Sequence, residues 1–224
     1  MKKSWDQNWQ SVFIENEWGK YPPESVIRFV ARNFYKSNRK EIKILEVGCG
    51  TGANIWYLLR ERFDAYGIDG SSVAIDRARE RFKNENLVSK LICGDIINLP
   101  YEDNFFDAVI DNECIYCNNF ENTETILNEI DRVLKSNGKF YSRTFTDKLF
   151  VGGGADHTKV SKFEYSEINI GPLAGKGFAR LTSKDDIDNV YGKLFNICSI
   201  DSIEYTIDNE NQIVSEWIIV CEKK

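Results

Sequence analysis

The sequence predicts an α/β protein, doubly wound, with a mostly parallel sheet that ends in an antiparallel hairpin. Three observations carry this. Apolar segments of strand length alternate with amphipathic helical segments through the first two-thirds of the chain, which argues for a parallel sheet covered on both faces. The first strand runs directly into a glycine-rich turn, ILEVGCGTG, from Ile44 to Gly52. Two long β-rich stretches close the chain, split by Asp208-Asn209-Glu210-Asn211, a hairpin signal.

In order, residues 43–48 read as the first strand and 52–62 as a helix with Ile55, Leu58, Leu59 and Phe63 at helical spacing. Residues 64–69 are a second strand. A charged helix over 71–84 follows, with Ser71 or Ser72 available as N-cap. Residues 88–93 are a third strand and 106–111 a fourth. A helix over about 121–134 has Ile126, Leu127, Ile130, Val133 and Leu134 on one side, and Asn137-Gly138 supply a left-handed stop. Residues 139–145 form a fifth strand. Residues 147–181 are glycine-rich with sparse apolar periodicity, which reads as a lid or substrate insert. A short helix to about Leu194 precedes the hairpin strands at 196–207 and 212–222. With 224 residues, one domain is expected, with residues 1–40 as an N-terminal helical cap.

Composition excludes several classes. A net charge of −6 argues against a nucleic-acid partner, since phosphate backbones demand basic stripes. No apolar run is long enough to span a membrane. The stretch MKKSWDQNWQ is basic without an apolar segment, so no secretory signal is expected. Of the six cysteines, several fall in predicted strands or beside the glycine turn and read as buried free thiols, which fits a reducing, cytoplasmic compartment. Cys114-x-x-Cys117 lacks the partner pair a metal site needs, so no metal is expected.

The chemistry-bearing residues gather at strand ends. Gly48, Gly50 and Gly52 form a turn that lets backbone approach a ligand, with a helix N-terminus directly behind it. Asp69 ends the second strand, where a carboxylate accepts both hydroxyls of a ribose. Asp95, in Cys93-Gly94-Asp95-Ile96, ends the third, within reach of an adenine amine, while the Ile96 N–H reads a ring nitrogen. Gly48-x-Gly50-x-x-Ala53 also fits a nicotinamide or flavin fingerprint. Glu46 decides against that rival, because it repels a pyrophosphate and suits a methionine ammonium. The hairpin end likewise differs from a second mononucleotide half.

These segments, with Gly67-Ile-Asp69-Gly70-Ser71, Phe105-Phe106-Asp107 through Asp111, and Gly138, resemble the class I S-adenosylmethionine-dependent methyltransferases over residues 42–145. The resemblance implies a Rossmann-like seven-stranded sheet of order 3-2-1-4-5-7-6 and S-adenosylmethionine as cofactor. It implies a donor site of Glu46, Gly48, Cys49, Gly50, Gly52, Asp69, Gly70, Ser71, Gly94, Asp95, Ile96 and Asp111, with Tyr21 as a lid contact. Tyr116 after the fourth strand, Arg143 and Arg180 are the candidate substrate contacts. His157 is the only histidine, and its ordinary pKa suits a general base. Two function classes remain open: a methyltransferase for a small-molecule acceptor, on oxygen first and nitrogen second, and a non-catalytic binder of the same cofactor. The protein is expected as a monomer or homodimer.

Overall fold

In the first strand, β1 (Lys43–Val47), side chains alternate between two buried layers: Ile44 faces one and Leu45 and Val47 the other. The same alternation recurs in β4 (Phe106–Asn112), where Phe106 and Val109 join one layer and Ala108 and Ile110 the other. A strand buried on both sides must sit in the middle of a covered sheet. The computed structural model describes residues 3–224 and places β1 and β4 at that centre. Residues 1–2 of the expected cap lie outside the described residues.

The main sheet has seven strands in the order β3-β2-β1-β4-β5-β10-β9, as the family resemblance implied. Here β2 is Asp64–Asp69, β3 is Lys90–Cys93, β5 is Leu134–Phe145, β9 is Phe195–Ile207 and β10 is Gln212–Lys223. The pairs β1–β2, β1–β4, β2–β3 and β4–β5 are parallel. β10 runs antiparallel to both β5 and β9. The hairpin loop carries Asp208, Asn209 and Glu210 at positive φ. β5 starts earlier than expected: Leu134 already pairs with Phe106, and the register shifts between Phe106 and Ala108. Asn137 has a φ of 61°, but inside β5; the expected left-handed helix stop is absent, because the helix before it ends at Val133 on an extended Leu134.

Helices α1 (Asn8–Glu15) and α2 (Glu24–Phe34) form the N-terminal cap. α2 buries Val26, Phe29 and Val30 in the layer it shares with α3 (Ala53–Arg60) and α4 (Ser72–Asn84). The other face holds α5 (Phe120–Val133) and the helical turns from Lys184 to Leu194. Ser71 is the N-cap of α4, its Oγ accepting from the Ala74 N–H at 3.2 Å.

The segment 147–181 differs from the expected loop. It forms a three-stranded antiparallel sheet of β6 (Thr158–Lys159), β7 (Glu164–Ser166) and β8 (Ala179–Arg180). Leu149, Ile168, Leu173 and Leu181 bury a separate apolar cluster against Tyr116 and Phe145. These apolar residues obey neither helical nor strand spacing, because glycine turns set their order.

The turn after β4 is fixed from below. Asp111 is fully buried; one carboxylate oxygen accepts from the Cys114 and Ile115 N–H groups at 2.9 and 3.1 Å. The other accepts from Ser142 Oγ at 2.6 Å, and Ser142 in turn contacts the Tyr191 hydroxyl at 3.1 Å. Burial pushes the Asp111 carboxyl up to about 6 despite these bonds. A carboxyl raised in the folded state removes stability as pH rises from its unfolded value through its folded one. Asp111→Asn keeps the oxygen for both N–H groups and offers an amide to Ser142. Urea denaturation of the empty protein should therefore show the variant gaining on the wild type between pH 4 and 6, by about 2–3 kcal/mol. A constant difference across that range would show that the buried carboxyl ionises freely.

Candidate active site

The cavity opens at the carboxyl ends of β1, β2, β3 and β4. β1 delivers Glu46, which is only 3% exposed, and then turns sharply at Gly48, where φ is +65°. A Cβ on Gly48 would meet the Cys114 Sγ at 2.1 Å, so the turn after β4 can lie flush on the glycine turn only because no side chain is there. α3 follows at once. Its Asn54 donates through Nδ2 to Glu46 Oε1 at 2.6 Å. That bond fixes the amide's orientation and leaves Glu46 Oε2 and Asn54 Oδ1 as two buried acceptors without a partner.

Asp69 is buried and accepts from the Gly50 and Ser71 N–H groups, each at 2.8 Å. It thereby locks the glycine turn to the end of β2. Burial pushes the carboxyls of Glu46 and Asp69 up, and for Glu46 the nearby Asp69 and Asp111 add to it. Among the described residues, no lysine or arginine ion-pairs with Glu46, Asp69 or Asp111. This end of the cavity is thus a buried acidic site with unfilled acceptors and, among the described residues, no ion-paired lysine or arginine.

At the opposite end, Gly70, Gly94, Asp95 and Ile96 line the cavity, and the N-terminal segment reaches over them. The Ser4 N–H donates to Asp95 at 2.8 Å, and the Ser4 hydroxyl donates to it as well. The outer mouth is aromatic. Trp9, Phe13 and Trp18 pack mutually with centroids 5.3–5.9 Å apart, and Tyr116, Asn118, Glu113 and Lys176 complete the rim. Asn112 and Asn118 each keep a buried amide oxygen without a partner there.

Of the residues expected from sequence, Glu46, Gly48, Cys49, Gly50, Asp69, Gly70, Gly94, Asp95, Ile96, Tyr21 and Tyr116 line the cavity. Six do not. Gly52 packs towards Phe82 on α4, and Ser71 caps that helix. Asp111 is turned beneath the floor, so its reach is to the β4 turn and not to a ligand. Arg143 ion-pairs with Glu113 at 3.2 Å and with Glu216, which spends its charge inside the protein. Arg180 is buried at 3% exposure behind the rim. His157 is held by the Val151 carbonyl at 3.0 Å and stands edge-on to Tyr165, away from the cavity. Tyr21, at 73% exposure, leans on Trp56 at the mouth instead of covering the interior.

Sequence reasoning missed Asn54, Phe13 and Lys176. Asn54 had a local signal, a buried polar residue on a helix face that otherwise buries Ile55 and Leu58. Phe13 and Lys176 reach the site from distant segments and had none.

A cavity with a buried acid beside the glycine turn disfavours a pyrophosphate, and the closing hairpin is not a second mononucleotide half. Both features oppose a nicotinamide site.

Comparison with known proteins agrees. Residues 45–142 match the family model described as a methyltransferase domain. The chain is 30% identical over 151 residues to the phthiotriol/phenolphthiotriol dimycocerosates methyltransferase of Mycobacterium tuberculosis, covering 65% of this chain and 54% of that one. The chain spans about half the length of the curated relatives it matches. An S-adenosylmethionine-dependent methyltransferase structure from Methanosarcina mazei superposes with a TM-score of 0.68 at 19% identity, over 82% of this chain and 93% of that one. The Burkholderia thailandensis 1,6-didemethyltoxoflavin-N1-methyltransferase, solved with S-adenosylhomocysteine, superposes at 0.64 and 14% identity, over 97% and 88%. These two share the fold. Strand order, the glycine turn with its acids, and the match of residues 45–142 to a methyltransferase domain make this chain similar to the class I S-adenosylmethionine-dependent methyltransferases.

Proposed function

We propose that this protein transfers the methyl group of S-adenosylmethionine to a small-molecule acceptor, on a hydroxyl first and an amine second. The observation that carries the donor reading is the pair of unfilled acceptors, Glu46 Oε2 and Asn54 Oδ1, beside a buried acid that no lysine or arginine among the described residues ion-pairs with. An α-ammonium supplies both the donors and the charge. Asp69 and Asp95 suit the ribose and the adenine amine at the other end. When bound, the sulfonium supplies an electrophilic methyl group. The chain's part is to align the acceptor with it and keep water out.

The acceptor side rests on the mouth. Trp9, Phe13, Trp18 and Tyr116 favour a flat or apolar body. Glu113 lines the same mouth, and burial beside Glu216 raises its carboxyl, which makes it a stronger base than an exposed glutamate. It takes the role that His157 was expected to play, and it is what favours a hydroxyl. A cytoplasmic setting suits six free thiols. No helix among the described residues is long and apolar enough to cross a membrane.

S-adenosylhomocysteine should bind in the low-micromolar range, on the order of −8 kcal/mol, while NADH should not bind. Burial opposes ionisation of Glu46 and an ammonium favours it, so at a pH where the empty site holds its proton, titrations in buffers of different ionisation enthalpy should show proton release on binding. Glu46→Gln should weaken binding at least tenfold, by about 1.5–3 kcal/mol, and abolish that release. Binding of NADH in place of the homocysteine ligand would overturn the donor reading.

With an acceptor found by screening for donor turnover, Glu113→Gln should lower kcat by about 100-fold on a hydroxyl acceptor and leave donor affinity unchanged. His157→Gln should keep wild-type kcat. The reverse pattern would return the base to His157.

A further inference from the structure

A purine is flat and apolar on both faces, so a slot that selects it needs two walls as well as polar edges. At the nucleoside end, the core chain supplies Ile96, while Gly70 has no side chain. Gly70 does not have a positive φ, so its backbone is one that any residue adopts. What excludes a side chain is the Trp5 indole. A Cβ on Gly70 would meet Trp5 Cδ1 at 2.0 Å, Cγ at 2.2 Å and Nε1 at 2.4 Å. The indole therefore rests on the Gly70 backbone, in the space that a side chain there would fill.

Two further features tie Trp5 to a ligand. Its Nε1 is buried with no partner and belongs to a residue that lines the cavity. A buried N–H without an acceptor is costly, and a ribose oxygen beside the stacked base would satisfy it. The segment is anchored next door, where Asp95 accepts from the Ser4 N–H, the Ser4 hydroxyl and the Ile97 N–H, the last at 3.1 Å. A carboxylate has about four acceptor positions. Three are used, and the fourth, on Oδ2, stays open for an exocyclic amine.

We propose that Trp5 is an adenine-binding residue: the N-terminal segment carries it into the site as an aromatic wall of the purine slot, with Gly70 as its seat. This rests on the donor reading above. It also places the action of the N-terminal segment at the nucleoside end of the site.

Calorimetry with S-adenosylhomocysteine tests it on the wild type and on Trp5→Ala, Trp5→Phe, Gly70→Ala and the double alanine variant, each checked for an unchanged circular dichroism spectrum. Trp5→Ala should weaken binding roughly tenfold, the scale of base–aromatic stacking, and Trp5→Phe should recover most of it. Gly70→Ala should cost as much as Trp5→Ala, because it unseats the ring. The double variant should be no worse than either single one. Unchanged affinity in Trp5→Ala would overturn the proposal. Tighter binding would overturn it too, and would mark the indole as a plug that the purine displaces. A wild type that binds no S-adenosylhomocysteine would overturn the donor reading itself, an outcome distinct from either.

Discussion

Glu46 enters the interior on a central strand of the sheet, and among the described residues no lysine or arginine ion-pairs with it. The strand that carries it is buried on both faces, so the carboxylate cannot turn to water. Its neighbours Asp69 and Asp111 are also buried and also acidic. Asn54 satisfies one of its oxygens and leaves the other open. A protein that stabilised only itself would place an arginine here or replace the acid by a leucine, because an uncompensated buried charge is costly. The site keeps that cost, and under the proposed donor reading the ligand's ammonium is what offsets it. The rest of the architecture follows from holding the acid in place while leaving one side of it open.

The supports are mostly backbone. Asp69 accepts from the N–H groups of Gly50 and Ser71, and so ties the glycine turn to the next strand. Asp111 accepts from the turn after β4 and, through Ser142 and Tyr191, joins that turn to β5 and the helical segment beyond. Arg143 holds Glu113 from the same side. The ligand-facing groups are therefore set by a layer of polar contacts just beneath them, and several acids that look alike in sequence do different work. Asp69 lines the cavity and also ties the glycine turn, while Asp111 is bonded only to the turn and strand beneath it.

Much of this was legible in the chain. The strand and helix order followed from apolar periodicity, because the central strands are covered on both faces and each main helix on one. The glycine turn and the acids at the ends of β1, β2 and β3 were legible because they are local: the turn needs small residues, and a strand end aims its next side chain at the crevice. The rest was not local. Gly52 and Ser71 sit in the same motif as Gly50 and Asp69, yet they serve the packing and capping of α4. The insert 147–181 looked structureless because glycine turns break its periodicity, although its apolar residues form a cluster. His157 drew attention as the only histidine, but its place was decided by pairing between β6 and β7, which short polar strands do not announce. Trp5, Phe13 and Lys176 reach the site through tertiary contacts that no spacing encodes.

The central claim is that the buried acid site exists to receive a cation. The most direct measurement compares S-adenosylhomocysteine with its analogue in which hydrogen replaces the α-amino group, titrated into the wild-type protein at pH 7. The two ligands share the adenine, the ribose, the thioether and the carboxylate. The account predicts that the analogue binds at least tenfold more weakly, a loss on the order of 2–3 kcal/mol, and without proton release. Equal affinities would contradict it, because Glu46 and Asn54 would then be buried without their partner in the bound state as well.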